Sequence, residues 1–300
     1  MRAYLQLLRL PNVFTAMADI LLGYLFTHES LRPWGEFALV LAASSLVYLS
    51  GMVLNDYFDR HQDAAERPFR PIPSGRTSAA AAWRLGWAML VLGTAAGWLA
   101  MLASGDPRPA VVATLLAAAV LGYDAVLKKT VLGPLVMGAC RTLNVLLGMS
   151  LSDRSWKPVH WVVAGGVGLY IVGVTIFART EARASSRPRL VLGLVVLLSG
   201  VAVLSWLPDW ANGTEWPEIR VPPRWNLFWA LIGLLVAWRC LRAIVNPAPA
   251  QVQAAVRNCI FALVILDAAT CLAVQDRMWS LVILTLLVPM VILGRWIYST

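Results

Sequence analysis

Charge is scarce in this chain. Only 14% of its 300 residues are Asp, Glu, Lys or Arg, against 59% hydrophobic residues, and the mean hydropathy is +0.68. That balance excludes an ordinary soluble domain. Histidine occurs three times and cysteine four, and Cys140, Cys240, Cys259 and Cys271 form no CxxC pair. The cysteines therefore read as small hydrophobes rather than a zinc site or a disulfide frame. No serine elbow, zinc pattern, glycine-rich phosphate loop or low-complexity segment occurs. The first apolar run lacks a convincing small-residue cleavage site, so no cleavable secretory signal is expected.

Long apolar runs fill the space that charge leaves. After a short amphipathic start and a Pro11-Asn12 break, they lie near 13–27, 36–54, 84–103, 109–127, 131–150, 158–178, 189–207, 226–242, 255–273 and 279–296. These predict an all-α polytopic membrane protein. With the N-terminus inside, seventeen Lys or Arg fall on inner segments and seven on outer ones, and Arg141, within a span, completes the 25. The bias supports a cytoplasmic N-terminus. The net charge of +9 is thus spread over membrane-edge loops, which argues against nucleic acid as a partner. Many of the 14 tryptophans fall near span ends, where the bilayer interface favours them. The Trp- and Pro-rich outer loop 208–225 is expected to lie along the membrane surface as a cap.

One polar stretch interrupts this pattern. Residues 55–76 read NDYFDRHQDAAERPFRPIPSGR. A helix here would put Asp56, Asp59 and Asp63 at i, i+3 and i+7 on one face, with Asn55 at its border. Three unpaired carboxylates repel one another unless something positive sits between them. Magnesium suits them, being held by one or two carboxylates with water and substrate phosphate completing its shell. Arg67, Arg70 and Arg76 follow, and their planar donor forks suit phosphate. Carboxylates for a metal followed by guanidiniums for a polyanion describe a diphosphate site at a membrane surface. The same residues also fit a solvated charged loop that obeys the positive-inside bias.

Ionisable groups inside spans are costly and usually face a cavity or a partner. Here they are Asp19, Asp124, Arg141 and Asp267, with Asn144 beside Arg141. Asp124 and Lys128 stand one turn apart and are expected to pair. Arg141 and Asn144 share a face, with Gly138 leaving room beside them. They read either as the polar floor of a substrate cavity or as pairs that hold helices together. A second acid-bearing loop is expected in the later half. YIVGVTIFARTEARASSRPR, residues 170–189, offers Glu181 flanked by Arg179 and Arg183, then only Ser185 one turn later.

These residues resemble the UbiA family of membrane prenyltransferases. The match is NDYFD-x3-D at 55–63 followed by RPFRPIPSGR at 67–76, and the Tyr123–Lys128 and Arg141–Asn144 stretches look like the family's central helices. LGPLVMGACRTLN and YIVGVTIFARTEA look like a bacterial branch near the EboC-type proteins. The resemblance implies a helical bundle, usually of nine spans, whose two aspartate-rich cytosolic loops face a central cavity open to lipid. A count of ten leaves one segment in question, either 226–242 or a surface helix.

The family's chemistry would be magnesium-dependent transfer of an isoprenyl group from an isoprenyl diphosphate to a hydrophobic or aromatic acceptor in the bilayer. Carried onto this chain, Asp56, Asp59, Asp63 and Glu181 would hold metal, supported by Asn55. Arg67, Arg70, Arg76 and Lys128 would neutralise the leaving diphosphate. Tyr123, Asp124, Arg141 and Asn144 would contact or orient substrates. The expected location is a bacterial inner membrane with the motif loops cytoplasmic. Ser185 departs from the family's second motif, so two other readings stand. One is a UbiA-like protein that binds or moves a lipid phosphate without transfer, and the other is a transferase using a phosphoribosyl or different lipid-phosphate donor.

The charge bias makes a direct prediction. In a variant without the natural cysteines, Ser30→Cys should react with an impermeant maleimide in intact cells, and Ser74→Cys only after lysis. The reverse pattern would invert the topology.

Overall fold

The computed structural model describes residues 2–179, 185–211 and 218–297, and among them all regular structure is helical. A short helix α1 (Arg2–Leu7) and a single 3-10 turn (Leu10–Asn12) lead into α2 (Val13–Thr27). Then come α3 (Trp34–Phe58), α4 (Arg60–Glu66), α5 (Ala79–Ser104), α6 (Arg108–Ala125) and α7 (Gly133–Met149). The second half adds α8 (Pro158–Ala178), α9 (Arg187–Ser205), α10 (Leu207–Trp210), α11 (Trp225–Val245), α12 (Pro249–Cys271), α13 (Arg277–Thr285) and α14 (Leu287–Trp296).

Local chemistry sets many of the boundaries. Proline occupies the first turn of α6, α7, α8, α9 and α12, where its missing N–H costs nothing. Ser78 caps α5 by accepting from Ala81 N at 3.2 Å, and Gly105, at φ 74°, ends it in the left-handed conformation.

Each of the ten apolar runs coincides with a helix. Nine helical segments among the described residues are long and apolar enough to cross a membrane, with α13 and α14 counting together as 277–296. The segment 226–242, in question from the sequence, is a full helix of 21 residues. The run outside these nine is α7, at 17 residues against about 20 for a typical span, whereas α2 counts together with its leading 3-10 turn as 10–27. In the Trp- and Pro-rich loop 208–225, residues 212–217 lie outside the described ones, and Arg220 N donates to Ala273 O at 2.6 Å.

α2 is the centre of the bundle. It packs on α3, α7 and α12, and all but three of its 15 residues are buried. α7 lies against α2, α6 and α8, while α5 and α9 pair with α3 and α8 further out. The α2–α7 crossing is closed by glycine on both sides. A Cβ at Gly23 would sit 2.2 Å from Val145 O, and one at Gly148 would sit 2.6 Å from Ile20 O. Backbone contact this close lets Asn144 reach across to α2.

Gly23→Ala should therefore push α2 and α7 apart and cost about 1–3 kcal/mol by overpacking. Gly165→Ala, where nothing lies within 4 Å, should not destabilise. Thermal unfolding of the two variants in detergent checks this, and equal midpoints would contradict the packing argument.

Candidate functional site: a cation-lined cavity at the end of the bundle

The polar stretch is not one continuous helix. α3 stops at Phe58, Asp59 sits at φ −86° and ψ 0°, and α4 restarts at Arg60. Asp59 N still donates to Asn55 O and Asp63 N to Asp59 O, at 3.0 and 2.8 Å. The cavity-lining side chains accordingly fall at i, i+4 and i+8. Asn55, Asp59 and Asp63 line a cavity of about 350 Å³, whereas Asp56 is 4% exposed and is not among its lining residues. This moves Asp56 from the face expected of it to a position supporting that face.

Two arginines hold Asp56 and Asp63. Arg70, also buried, places one Nη1 3.3 Å from Asp56 Oδ1 and 2.7 Å from Asp63 Oδ2. The turns of RPFRPIPSGR aim it inward. Ser74 donates through both N–H and Oγ to Arg70 O, at 3.0 and 2.7 Å, and Gly75 adopts φ 72°. Arg9 reaches Asp56 Oδ1 from the opposite side at 2.8 Å. It does so from a left-handed backbone at φ 44° that a non-glycine residue rarely adopts. Burial works against its charge, but the Asp56 carboxylate outweighs that and holds the guanidinium above its ordinary range.

Lys128 completes the wall, 2.8 Å from Asp59 Oδ1 and 2.8 Å from Asn55 Oδ1. This replaces the expected Asp124–Lys128 pair. Asp124 is buried, and its Oδ2 has no partner among the described residues.

Among the described residues, cations outnumber acids around the cavity. Arg9, Arg67, Arg70, Lys128, Lys129 and Arg179 face Asp59, Asp63 and Glu66, with Gln62, Tyr123 and Thr175 completing much of the lining. Arg179 ties the end of α8 to the loop after α6 by donating to Lys129 O and Thr130 O at 3.2 and 2.8 Å. An excess of guanidinium and ammonium groups in a partly desolvated cleft suits a polyanion.

Magnesium fits this donor set only together with a ligand. Asp59 Oδ2 and Asp63 Oδ1 stand outside the ion pairs just described. Among the described residues no three His, Cys, Asp or Glu side chains converge as a metal cage. Two hard carboxylate oxygens beside phosphate-binding cations match how this ion is usually held, with phosphate and water completing its shell.

The other expected residues lie elsewhere. Arg76 is exposed and spends its donors on Ser74 Oγ, Gln6 Oε1 and Phe69 O, which pins the loop to α1. Arg141 and Asn144 belong to a separate polar layer around Asp19, with Arg141 Nη1 and Asn144 Nδ2 each 2.8 Å from Asp19 Oδ2. Glu181 lies outside the described residues. Ser185 is buried, and its N–H donates to Pro247 O at 3.4 Å. Arg9 and Lys129 carry no motif. Their only sequence signal is a basic residue two positions before a Pro-Asn break and a second lysine after Lys128.

Comparison with known proteins agrees with this picture. A model of the UbiA prenyltransferase family matches residues 16–257. The digeranylgeranylglyceryl phosphate synthases of Ignicoccus hospitalis and Saccharolobus solfataricus are 35% and 29% identical over 156 and 158 residues. These matches take in 52% of this chain and 49% and 54% of those proteins, so the chain spans about half the length of the curated relatives it matches. A solved UbiA homologue from Archaeoglobus fulgidus superposes with a TM-score of 0.67 at 15% identity, covering 94% of this chain and 99% of its own. The same protein has been solved bound to DMAPP and Mg2+, with a TM-score of 0.62 at 14% identity over the same shares of the two chains. The family model spans most of the bundle, and the chain belongs to the UbiA prenyltransferase family.

Proposed function

We propose that this integral membrane protein transfers an isoprenyl group from an isoprenyl diphosphate to a lipid acceptor and releases diphosphate. The observation that carries the reading is the cavity wall itself. Asn55, Asp59 and Asp63 stand opposite an excess of cations at the polar end of an otherwise apolar bundle.

In the reaction the bond between the allylic carbon and the diphosphate oxygen breaks, and the electron pair leaves with the diphosphate. The acceptor then bonds to that carbon and gives up a proton. Arg67, Lys129 and Arg179 are placed to bind the departing anion. Arg70 and Arg9 keep Asp63 and Asp56 in position, and Lys128 orients Asp59 and Asn55. Bound Mg2+ would add Lewis-acid stabilisation of charge on the leaving oxygen, held at Asp59 and Asp63. Donors fixed in advance of charge development are the main source of rate in such sites. Tyr123 lines the same cavity and would contact the donor.

Relatives named digeranylgeranylglyceryl phosphate synthase make a glycerol phosphate lipid the first acceptor to try. Aromatic acceptors such as quinone precursors are the next. Ser185, buried against Pro247 rather than lining the cavity, favours a second reading in which a lipid diphosphate is bound or moved without transfer.

The test is diphosphate release by the purified protein in lipid, with geranyl, farnesyl and geranylgeranyl diphosphate beside an acceptor panel. Release should require Mg2+, stop with EDTA, and fall by about 100-fold or more in Asp59→Asn and Asp63→Asn. Arg67→Ala should weaken donor binding by roughly tenfold. Metal-dependent binding of the donor without release would favour the binding reading.

Arg70→Ala would leave two buried carboxylates without their shared cation, and should cost about 3–5 kcal/mol of stability. Thermal unfolding would show it, and an unchanged midpoint would mean that Arg70 is not the support described here.

A further inference from the structure

Halfway down the bundle, charge reappears where the lipid-like interior makes it expensive. Asp19 on α2 and Asp267 on α12 are both fully buried. Asp19 Oδ2 accepts from Arg141 Nη1 and Asn144 Nδ2, both at 2.8 Å. Its other oxygen, Oδ1, meets no donor among the described residues, and neither oxygen of Asp267 does. Asp267 stands on α12, which packs directly against α2 where Asp19 stands, so two fully buried carboxyls with unmatched oxygens share one helix–helix contact.

Two carboxylates cannot both stay ionised at such a contact with one guanidinium beside them. A proton between them joins two of these three orphaned oxygens in one acid–carboxylate hydrogen bond. Its place follows from the partners. Asp19 already accepts two N–H donors and is the ionised member, whereas Asp267 has none and carries the proton. With Arg141, the trio is then neutral. The other titratable groups around it are Tyr48 on α3, Tyr170 on α8 and Cys271 on α12 itself. Tyr170 donates to Cys259 O at 2.8 Å, so its hydroxyl is committed elsewhere.

The pair holds one group that is not closed off. Arg141 keeps 12% of its side chain exposed where Asp19 keeps none. It uses one Nη for Asp19 and the other for Thr15 Oγ1, at 2.8 Å each, and lies 5.2 Å from the centre of the Tyr48 ring. Tyr48 in turn lies within electrostatic reach of Arg9, which lines the polar cavity. Arg141 is therefore the partly open member of this polar layer, with N–H donors beyond the two it uses.

We propose that Asp19 and Asp267 form a one-proton carboxyl pair that positions Arg141 as the polar contact for the lipid acceptor, with Asp267 the positioning residue. The acceptor half of this statement rests on the transferase reading above. The carboxyl pair does not.

Two measurements on the full chain in lipid nanodiscs separate these halves. Infrared difference spectra should show the C=O stretch of a protonated, water-shielded carboxyl at neutral pH, and Asp267→Asn should remove it. Absence of that band, or its survival in Asp267→Asn, would overturn the pair whether or not the protein transfers anything.

Equilibrium binding of a glycerol phosphate carrying one geranylgeranyl chain supplies the second measurement, with geranylgeranyl diphosphate as the control. Asp267→Ala should weaken binding of the glycerol phosphate by roughly tenfold and leave the diphosphate unaffected. Asp267→Asn, whose amide can donate to Asp19 in place of the acid, should restore most of the loss. Equal losses for both ligands, no rescue by Asn, or no binding to the parent protein would overturn the positioning of Arg141 for this acceptor. Failure of metal-dependent diphosphate release would count against the transferase reading alone.

Discussion

The buried guanidinium of Arg70, shared between Asp56 and Asp63, is the contact on which the cavity depends. It joins the end of α3 to α4 and draws the following loop under both. Without it, Asp63 would lose its cation in a desolvated pocket and Asp56 would keep only Arg9. With it, Asp63 presents its free oxygen to the cavity while Asp56 is kept behind. Arg9 and Lys128 repeat the arrangement on either side, so each of the three aspartates has a cation of its own or shares one. The remaining cations are then surplus to the wall, and that surplus is what an anionic ligand would meet.

The same rule operates deeper in the bundle, with different residues. Apolar surroundings leave no water to satisfy a charge, so Asp19 is matched there by Arg141 and Asn144. The α2–α7 crossing makes this possible because glycines at 23 and 148 bring the backbones into contact. Asn144 then spans the gap, bonding Ala16 O at 2.9 Å and Asp19 Oδ2, while Ser44 Oγ on α3 donates to Asn144 Oδ1 at 2.6 Å. Three helices are thereby locked in one register beneath the site. Specificity of packing and placement of Arg141 come from one set of hydrogen bonds.

Much of this was legible in the sequence. Ten apolar runs mark ten helical segments, and the polar break at 55–76 marks the site, because both signals are local and one-dimensional. What was not legible depends on three dimensions. A continuous helix would give Asp56 the same standing as Asp59, and only the break at Asp59 sets them apart. Asp124 stands one turn from Lys128 in the chain, yet Lys128 turns to Asp59 and Asn55 on another helix. Arg76 sits in the best-matched motif and serves the loop's own turns. Arg9 and Lys129 have no pattern around them and join the cavity only through folding. Of the second acid loop, Glu181 lies outside the described residues, and Ser185 is buried with its backbone N–H on Pro247 O.

The central claim is that Asp59 and Asp63, and not Asp56, face a metal-bound diphosphate. A structure of the protein in lipid with Mg2+ and a thiodiphosphate analogue of geranyl diphosphate tests it most directly. Metal density is expected against Asp59 and Asp63, and the diphosphate against Arg67, Lys129 and Arg179. A metal held by Asp56, or a diphosphate bound outside this cavity, would contradict it.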